Sequence, residues 1–458
     1  MRDMTEGSVT KRMLVFSVPF LFGNVLQQLY NTAAAVIVGQ FAGKRALAAV
    51  GAASPIMNIL TFLMVGITLG TSVLISEFFG AGDREKVREE QSTALLAGLI
   101  FTVVLSAAAI FLIRPMLFLI QTPNEIVPEA ESYLRIIIAG LVFSFFYNLL
   151  SSSLRAIGNA MMPLLFLFLS CALNIGMSMV LVGNFQMGVK GAAYSTVISQ
   201  AVSVLLCVGY IFRRVPVFRF RLRGLKINTE LLKRTVNYSS VSAVQQTFLY
   251  VGVLILQGAV NPLGVDAIAA YSAVTKIDGF ILAPTDSLAL ALTIFTSLNR
   301  GAGKTARVRA GLKNSMAIGA AFCLPVAFAV YFLAGTLMSF FLKPWETKAL
   351  AIGAGYLKAM ALFYLFPAVT NSFQGFFRGL GRMDITLGAT VIQIPVRVIL
   401  AYLLVGRFGM SVIAYCIAVG WLCMTVYEAM QYRHYFRKGE GSLMNEQQEE
   451  PQKTEPRM

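Results

Sequence analysis

With 458 residues, 57% of them hydrophobic and 13% charged, this chain is far from soluble-domain composition, in which about a quarter of residues carry charge. Its net charge of +16 would point to nucleic acid in a soluble protein, but the basic residues lie between apolar runs, so a nucleic-acid surface is excluded. The five cysteines, Cys171, Cys207, Cys323, Cys416 and Cys423, all fall within those runs and form no C-x-x-C pair, so neither a disulfide frame nor a zinc site is indicated.

A hydrocarbon core is crossed by about 20 apolar residues, and about twelve such stretches follow one another: 13–38, 52–78, 92–113, 132–153, 160–183, 190–212, 236–259, 267–297, 311–341, 353–376, 385–405 and 410–432. The eighth and ninth are long enough to tilt or to extend beyond the lipid. Lys11-Arg12 and Ala33-Ala34-Ala35 imitate the flanks of a signal peptide, but the stretch between them is too long, so the first span is retained. Residues 1–212 and 236–435 read as two six-helix lobes joined by a basic connector, 213–235. The polar sequence from 436 to 458 reads as a flexible tail, since it buries too little apolar surface to order itself.

The chain describes itself twice, 221–223 residues apart. Gly80-Ala81-Gly82 with Val87-Arg88 recurs as Gly301-Ala302-Gly303 with Val308-Arg309. Asn148, Arg155 and Gly158 recur as Asn371, Arg378 and Gly381, and Leu181-Val182-Gly183 as Leu404-Val405-Gly406. Six crossings return each copy to its starting side, so the copies share one orientation. The expected fold is an all-α integral membrane protein with twelve transmembrane helices in two parallel-repeat six-helix bundles.

With the N-terminus placed inside, the inner segments hold 27 of the 38 Lys and Arg residues and the outer loops seven. This asymmetry follows the positive-inside rule and predicts cytoplasmic N- and C-termini, with some attraction to anionic lipid heads. Neither glycine turn is a phosphate loop: Gly303-Lys304-Thr305 lacks the preceding glycine that G-x-x-x-x-G-K-[ST] requires. No ATP-hydrolysing, other catalytic or metal site is expected.

Pro19, Gln27-Gln28-Leu29-Tyr30-Asn31, Val38-Gly39, Gly43 and Leu47-Ala48-Ala49-Val50-Gly51 resemble the first helix and following turn of the MATE multidrug exporters. Leu154-Arg155-Ala156-Ile157-Gly158-Asn159 with Pro163 resembles the turn before that family's fifth helix. Tyr271 through Lys276-Ile277-Asp278, Pro284, Asn299 and Gly301-Ala302-Gly303 resemble its eighth helix and loop. The resemblance covers roughly residues 8–435. It implies export of cationic, amphipathic drugs across the plasma membrane in exchange for protons or sodium ions, with no cofactor beyond the coupling ion. Two family carboxylates are replaced here, one by Ala34 and the other by Ser178, which follows Leu173-Asn174-Ile175; Glu77 and Leu298 stand where glutamine is common.

A charge at mid-membrane costs about 2.5–3.5 kcal/mol on insertion scales, so a retained one needs a reason. Arg135, Lys276, Lys358 and Arg397 are the basic residues outside loops and tails; Arg135 and Lys358, repeat equivalents, are expected to snorkel to the interface. Asp278 is the leading ion-coupling candidate, because a partly dehydrated carboxylate can exchange a proton as water access alternates. The alternative is a permanent ion pair with Arg397 or Lys276. Asp286 is a second coupling candidate or a solvated residue near the cytoplasmic mouth, and Glu428 reads as interfacial. Gln27, Gln28, Asn31, Asn174, Gln245 and Gln246, with Tyr30 and Tyr250, are candidates for a substrate cavity. Asn148 and Asn371 read as interhelical hydrogen-bonding groups. Three readings stay open: an ion-coupled multidrug exporter, a lipid-linked precursor flippase of the same superfamily, and an uncoupled solute facilitator. The sequence does not address oligomeric state.

Overall fold

The structure is a computed structural model that describes residues 4–219 and 225–437. The tail expected to be flexible lies outside the described residues from 438 onward, as does 220–224 of the connector. The helices of the first copy are α1 (Val9–Ile37), α2 (Gly43–Gly80), α3 (Arg84–Leu119), α4 (Val127–Ala139), α5 (Leu141–Ala156), α6 (Met161–Ser178) and α7 (Gly188–Arg214). Those of the second are α8 (Thr229–Val260), α9 (Val265–Gly301), α10 (Thr305–Ser339), α11 (Thr347–Ala361), α12 (Leu365–Gly379), α13 (Met383–Phe408) and α14 (Val412–Arg437).

Among the described residues nine continuous helical stretches are long and apolar enough to cross a membrane, or eleven with two bent pairs counted as spans. The first stretch, Val9–Gly80, is itself divided by a wide turn at Val38–Ala42 and by Gly43, whose φ is 85°. Counted as the two helices it contains, it restores twelve crossings. The bent pairs are α4 with α5 (47°) and α11 with α12 (56°); each occupies one of the runs that the sequence showed as a single span. Their hinges are repeat equivalents: Phe143 N donates to Gly140 O and Phe366 N donates to Phe363 O, both at 3.0 Å. At 37 residues, α9 is about 55 Å long at 1.5 Å per residue, well beyond the roughly 30 Å of hydrocarbon.

The repeat seen in sequence is also a repeat of contacts. Ser76 Oγ donates to Ala156 O at 3.1 Å, and its counterpart Ser297 Oγ donates to Gly379 O at 3.0 Å. The turn after α2 closes with Asp83 N on Phe78 O, and the turn after α9 with Lys304 N on Asn299 O. Gly82 and Gly303 take φ of 77° and 69° there, a backbone region that a Cβ strongly disfavours.

Two compact units divide the chain inside helices rather than in the connector. One is built from Pro19–Phe79 and Asp83–Gln246; the other holds the chain from Thr247 onward, with the N-terminal stretch ending at Val18 and Gly80–Gly82. The first unit buries Leu74, Phe145 and Leu149 in one cluster and Ala49, Ile56 and Leu134 in another. Thr235 on α8 donates to the fully buried Glu90 at 2.8 Å, and Ser239 donates to Ile67 O at 2.8 Å. Glu131 on α4 joins Arg114 of α3 (2.9 Å) and Arg135 of its own helix (2.7 Å). The core of the second unit includes Leu256, Val274, Met338, Leu357 and Ile413. There Arg307 Nη1 holds Gly7 O at 2.8 Å and Lys304 Nζ holds Thr5 O at 3.0 Å.

Within the second unit, α9 is the inner helix, 72% of its apolar window being buried against 17% for α10. It runs in register with α12: Asp278 meets Tyr364 and Thr285 meets Asn371, both with a sequence offset of 86. Gly375 faces Ala289 and Gly379 faces Thr293 at the same offset. Gly375 and Gly379 form the small-x-x-x-small pattern that lets membrane helices approach closely.

Candidate functional site

Residues seven apart on a helix nearly eclipse one another, so Tyr271, Asp278 and Thr285 share one face of α9. Tyr364, Asn371 and Arg378 share one face of α12 and its leading residue for the same reason. Facing each other, these rows build a polar column along the second unit. At one end the Tyr364 hydroxyl donates to Asp278 Oδ1. Next, Asn371 Nδ2 donates to Thr285 Oγ1 at 3.1 Å and to Asp286 Oδ1 at 2.7 Å. At the far end Gln374 Nε2 donates to Glu428 Oε1 at 2.5 Å and Arg378 Nη2 reaches Gln374 Oε1 at 3.4 Å. Arg378 acts electrostatically on both Asp286 and Glu428.

Several sequence expectations change here. The partner of Asp278 is Tyr364, not Arg397 or Lys276; Lys276 is exposed on another face of α9, and Arg397 lies buried on α13. Asp286 is exposed yet held by Asn371. Glu428 is not interfacial: it is fully buried, covered where Gln374 of α12 donates to it. Arg378, assigned to a loop by sequence, belongs to α12. The Asn148–Asn371 equivalence does not extend to contacts, since Asn148 Nδ2 donates to Ser144 O on its own helix at 2.8 Å. The residues facing it by repeat are Met64 and Val65, which offer no acceptor side chain.

In the first unit the structure joins two of the cavity candidates. The Tyr30 and Thr196 hydroxyls lie 3.3 Å apart, and Asn174 Nδ2 donates to Thr196 at 3.2 Å. Ser178 completes the group, 2.7 Å from Ser195. Gln27, Gln28 and Asn31 are exposed on α1 and take no part in it; Gln245 is buried on α8, with Gln246 and Tyr250 half-buried beyond it. Tyr364 and Gln374 were missed by sequence reasoning. The available signal was spacing alone: Tyr364 lies seven residues before Asn371, and Gln374 lies three after Asn371 and four before Arg378, which has meaning only once α9 is known to run alongside.

Transferred through the repeat offsets of 221 and 223, four charged positions of the second copy become neutral in the first, while Arg378 keeps its charge as Arg155. Asp278 corresponds to Met57, Asp286 to Val65, Arg397 to Asn174 and Glu428 to Leu205. Replacing Asn371 with Leu should strip Asp286 of its 2.7 Å donor. Because Asp286 is exposed, the loss is that of an ordinary hydrogen bond, about 0.5–1.5 kcal/mol, and a slightly lower melting temperature of the solubilised protein would register it. A melting point equal to wild type would show that Asp286 does not depend on this bond.

Two apolar copies of six crossings each, with a column of paired polar side chains in one of them, define a multi-pass membrane carrier. The MatE family model matches the chain twice, over residues 19–180 and 241–403, one match per copy. The chain belongs to the MatE family, whose members are transporters and not enzymes. It is 28% identical over 385 residues to the probable multidrug resistance protein YpnP of Bacillus subtilis, covering 83% of this chain and 85% of that one. The probable multidrug resistance protein NorM of Thermotoga maritima is 23% identical over 415 residues, 88% of each chain. Among solved structures, the fold superposes on an outward-facing MATE family transporter of the MOP superfamily with a TM-score of 0.88. The identity is 22%, over 96% of this chain and 98% of that one. A MATE transporter of Vibrio cholerae, VcmN, gives the same TM-score at 19% identity, over 94% of this chain and 97% of that one.

Proposed function

We propose that this protein is a secondary active multidrug exporter of the cell membrane, moving cationic or amphipathic small molecules outward in exchange for protons or sodium ions by alternating access. The distribution of Lys and Arg supports cytoplasmic termini. The observation that carries the coupling assignment is the Asp278–Tyr364 bond on the inner helix α9. A carboxylate kept at mid-membrane with a neutral hydroxyl as its partner has no fixed counter-charge, so a proton or a bound cation can neutralise it in turn. The names of the relatives, probable multidrug resistance proteins, support the substrate class. The flippase reading needs several converging cations for a pyrophosphate. Of the two cations that the sequence offers for it, Lys276 is exposed on another face of α9, which leaves Arg397 and makes the exporter the better reading.

The test is dye efflux from cells expressing the protein under imposed gradients. A cationic dye should leave faster when an inward proton or sodium gradient is present and slow when both are collapsed. Efflux indifferent to both gradients overturns exchange and favours the uncoupled facilitator.

A further inference from the structure

Arg397 sits near the middle of α13 and is 8% exposed, yet no acceptor among the described residues reaches its Nε or Nη2. The first copy shows why this is unusual. Its equivalent residue, Asn174, is surrounded by the hydroxyls of Ser178, Ser195 and Thr196. In the second copy those three positions are Ala401, Ala418 and Val419. The central group has therefore become a cation while the three hydroxyl-bearing positions around it have become apolar. On α8, the missing side chain of Gly252 lets the guanidinium pack close against the backbone: a Cβ there would lie 3.0 Å from Nη2 and 2.7 Å from Ile394 Cγ2. Tyr271 and Tyr356, stacked with centroids 6.0 Å apart, each feel both Arg397 and Asp278.

We propose that Arg397 is the anion-binding group of a subsite inside the C-terminal unit that recognises the carboxylate of a transported amphiphile. The planar fork of Arg matches a carboxylate with two parallel hydrogen bonds, and its two orphaned nitrogens are the donors such a ligand would satisfy. An unpaired guanidinium at this depth carries the cost of a mid-membrane charge, which a bound carboxylate offsets. Asp278, already held by Tyr364, does not compete for it. The substrate class thus extends from cations to amphiphiles that carry a carboxylate as well. The transport part of this inference rests on the exporter reading; the binding part does not.

The test measures binding to the purified full chain in detergent by fluorescence anisotropy, with rhodamine B, which has a free carboxylate, and its ethyl ester, which has none. The ratio of the two Kd values is the readout. In R397Q the ratio should shift against rhodamine B by about tenfold or more; an unchanged ratio overturns the proposal. R397K keeps the charge and removes the fork, and serves if R397Q does not fold. It should shift the ratio in the same direction by a few-fold, and an unchanged ratio there overturns the proposal equally. Replacing chloride by gluconate should tighten rhodamine B alone. If chloride acts on both probes, or if R397Q abolishes a chloride effect without changing the ratio, the site holds a halide and the carboxylate assignment falls. Cells that fail to extrude cationic dye would sink the exporter reading while leaving the binding selectivity in place.

Discussion

Asp278→Asn is expected to abolish gradient-driven dye efflux while leaving the amount of folded protein unchanged. Asparagine has the same shape and keeps a carbonyl oxygen that can accept from Tyr364, so the contact between α9 and α12 survives. The group can no longer gain or lose a charge, and a carrier that depends on that change stalls. Tyr364→Phe is the companion variant. It removes a donor to a charged acceptor, an interaction of about 1.5–3 kcal/mol, and should reduce efflux about tenfold without eliminating it. Efflux and monodisperse yield, measured on the same preparations, separate loss of transport from loss of fold. Normal efflux by the Asn variant would move the coupling site elsewhere, with Asp286 next in order.

Gly375→Ile should prevent the protein from reaching a stable fold. A Cβ at Gly375 would meet Ala289 O at 2.4 Å and the Ala289 carbonyl carbon at 3.1 Å. Both are backbone atoms and cannot swing aside as a side chain can. Inserting bulk into a packed core costs about 1–3 kcal/mol even where neighbours adjust. Here adjustment means parting α9 from α12, which also breaks the Asn371–Asp286 and Ser297–Gly379 bonds. Against a typical total stability of about 5–15 kcal/mol the loss is large. The variant should give little monodisperse protein on size exclusion; wild-type yield and melting temperature would show that the helix pair is not close-packed. The first copy carries Ser152 and Ala156 at the corresponding positions, so the closer approach is particular to the second copy.

The crossings and the duplication were legible in sequence because both depend on the chain alone. Twenty apolar residues span the bilayer whatever their neighbours, and the offset of 221–223 can be counted directly. The hinges near Gly140 and Phe363 were hidden, since each bent pair is a single unbroken apolar run. The site was legible only in part. Asp278 and Arg397 stand out as charges within apolar spans, but their partners do not. Tyr364 is one of 16 tyrosines, and nothing local distinguishes it until α9 runs beside α12. Glu428 was assigned to the interface because position within a span was the available guide, while its burial depends on Gln374 from another helix. Glu90 was obscured by the charged run Arg84–Gln91, whose other members are exposed or half-buried more often than not.

The constant offset of 86 between α9 and α12 has a mechanical consequence. Asp278–Tyr364, Thr285–Asn371, Ala289–Gly375 and Thr293–Gly379 are rungs of one ladder, and a shift of a single residue along either helix would break them all together. The nearest alternative alignment lies a full heptad away, about 10 Å at the helical rise. The pair is therefore a stiff beam: neither carboxylate can be delivered to a new environment by sliding its own helix, and whatever motion loading or unloading demands must carry both helices at once.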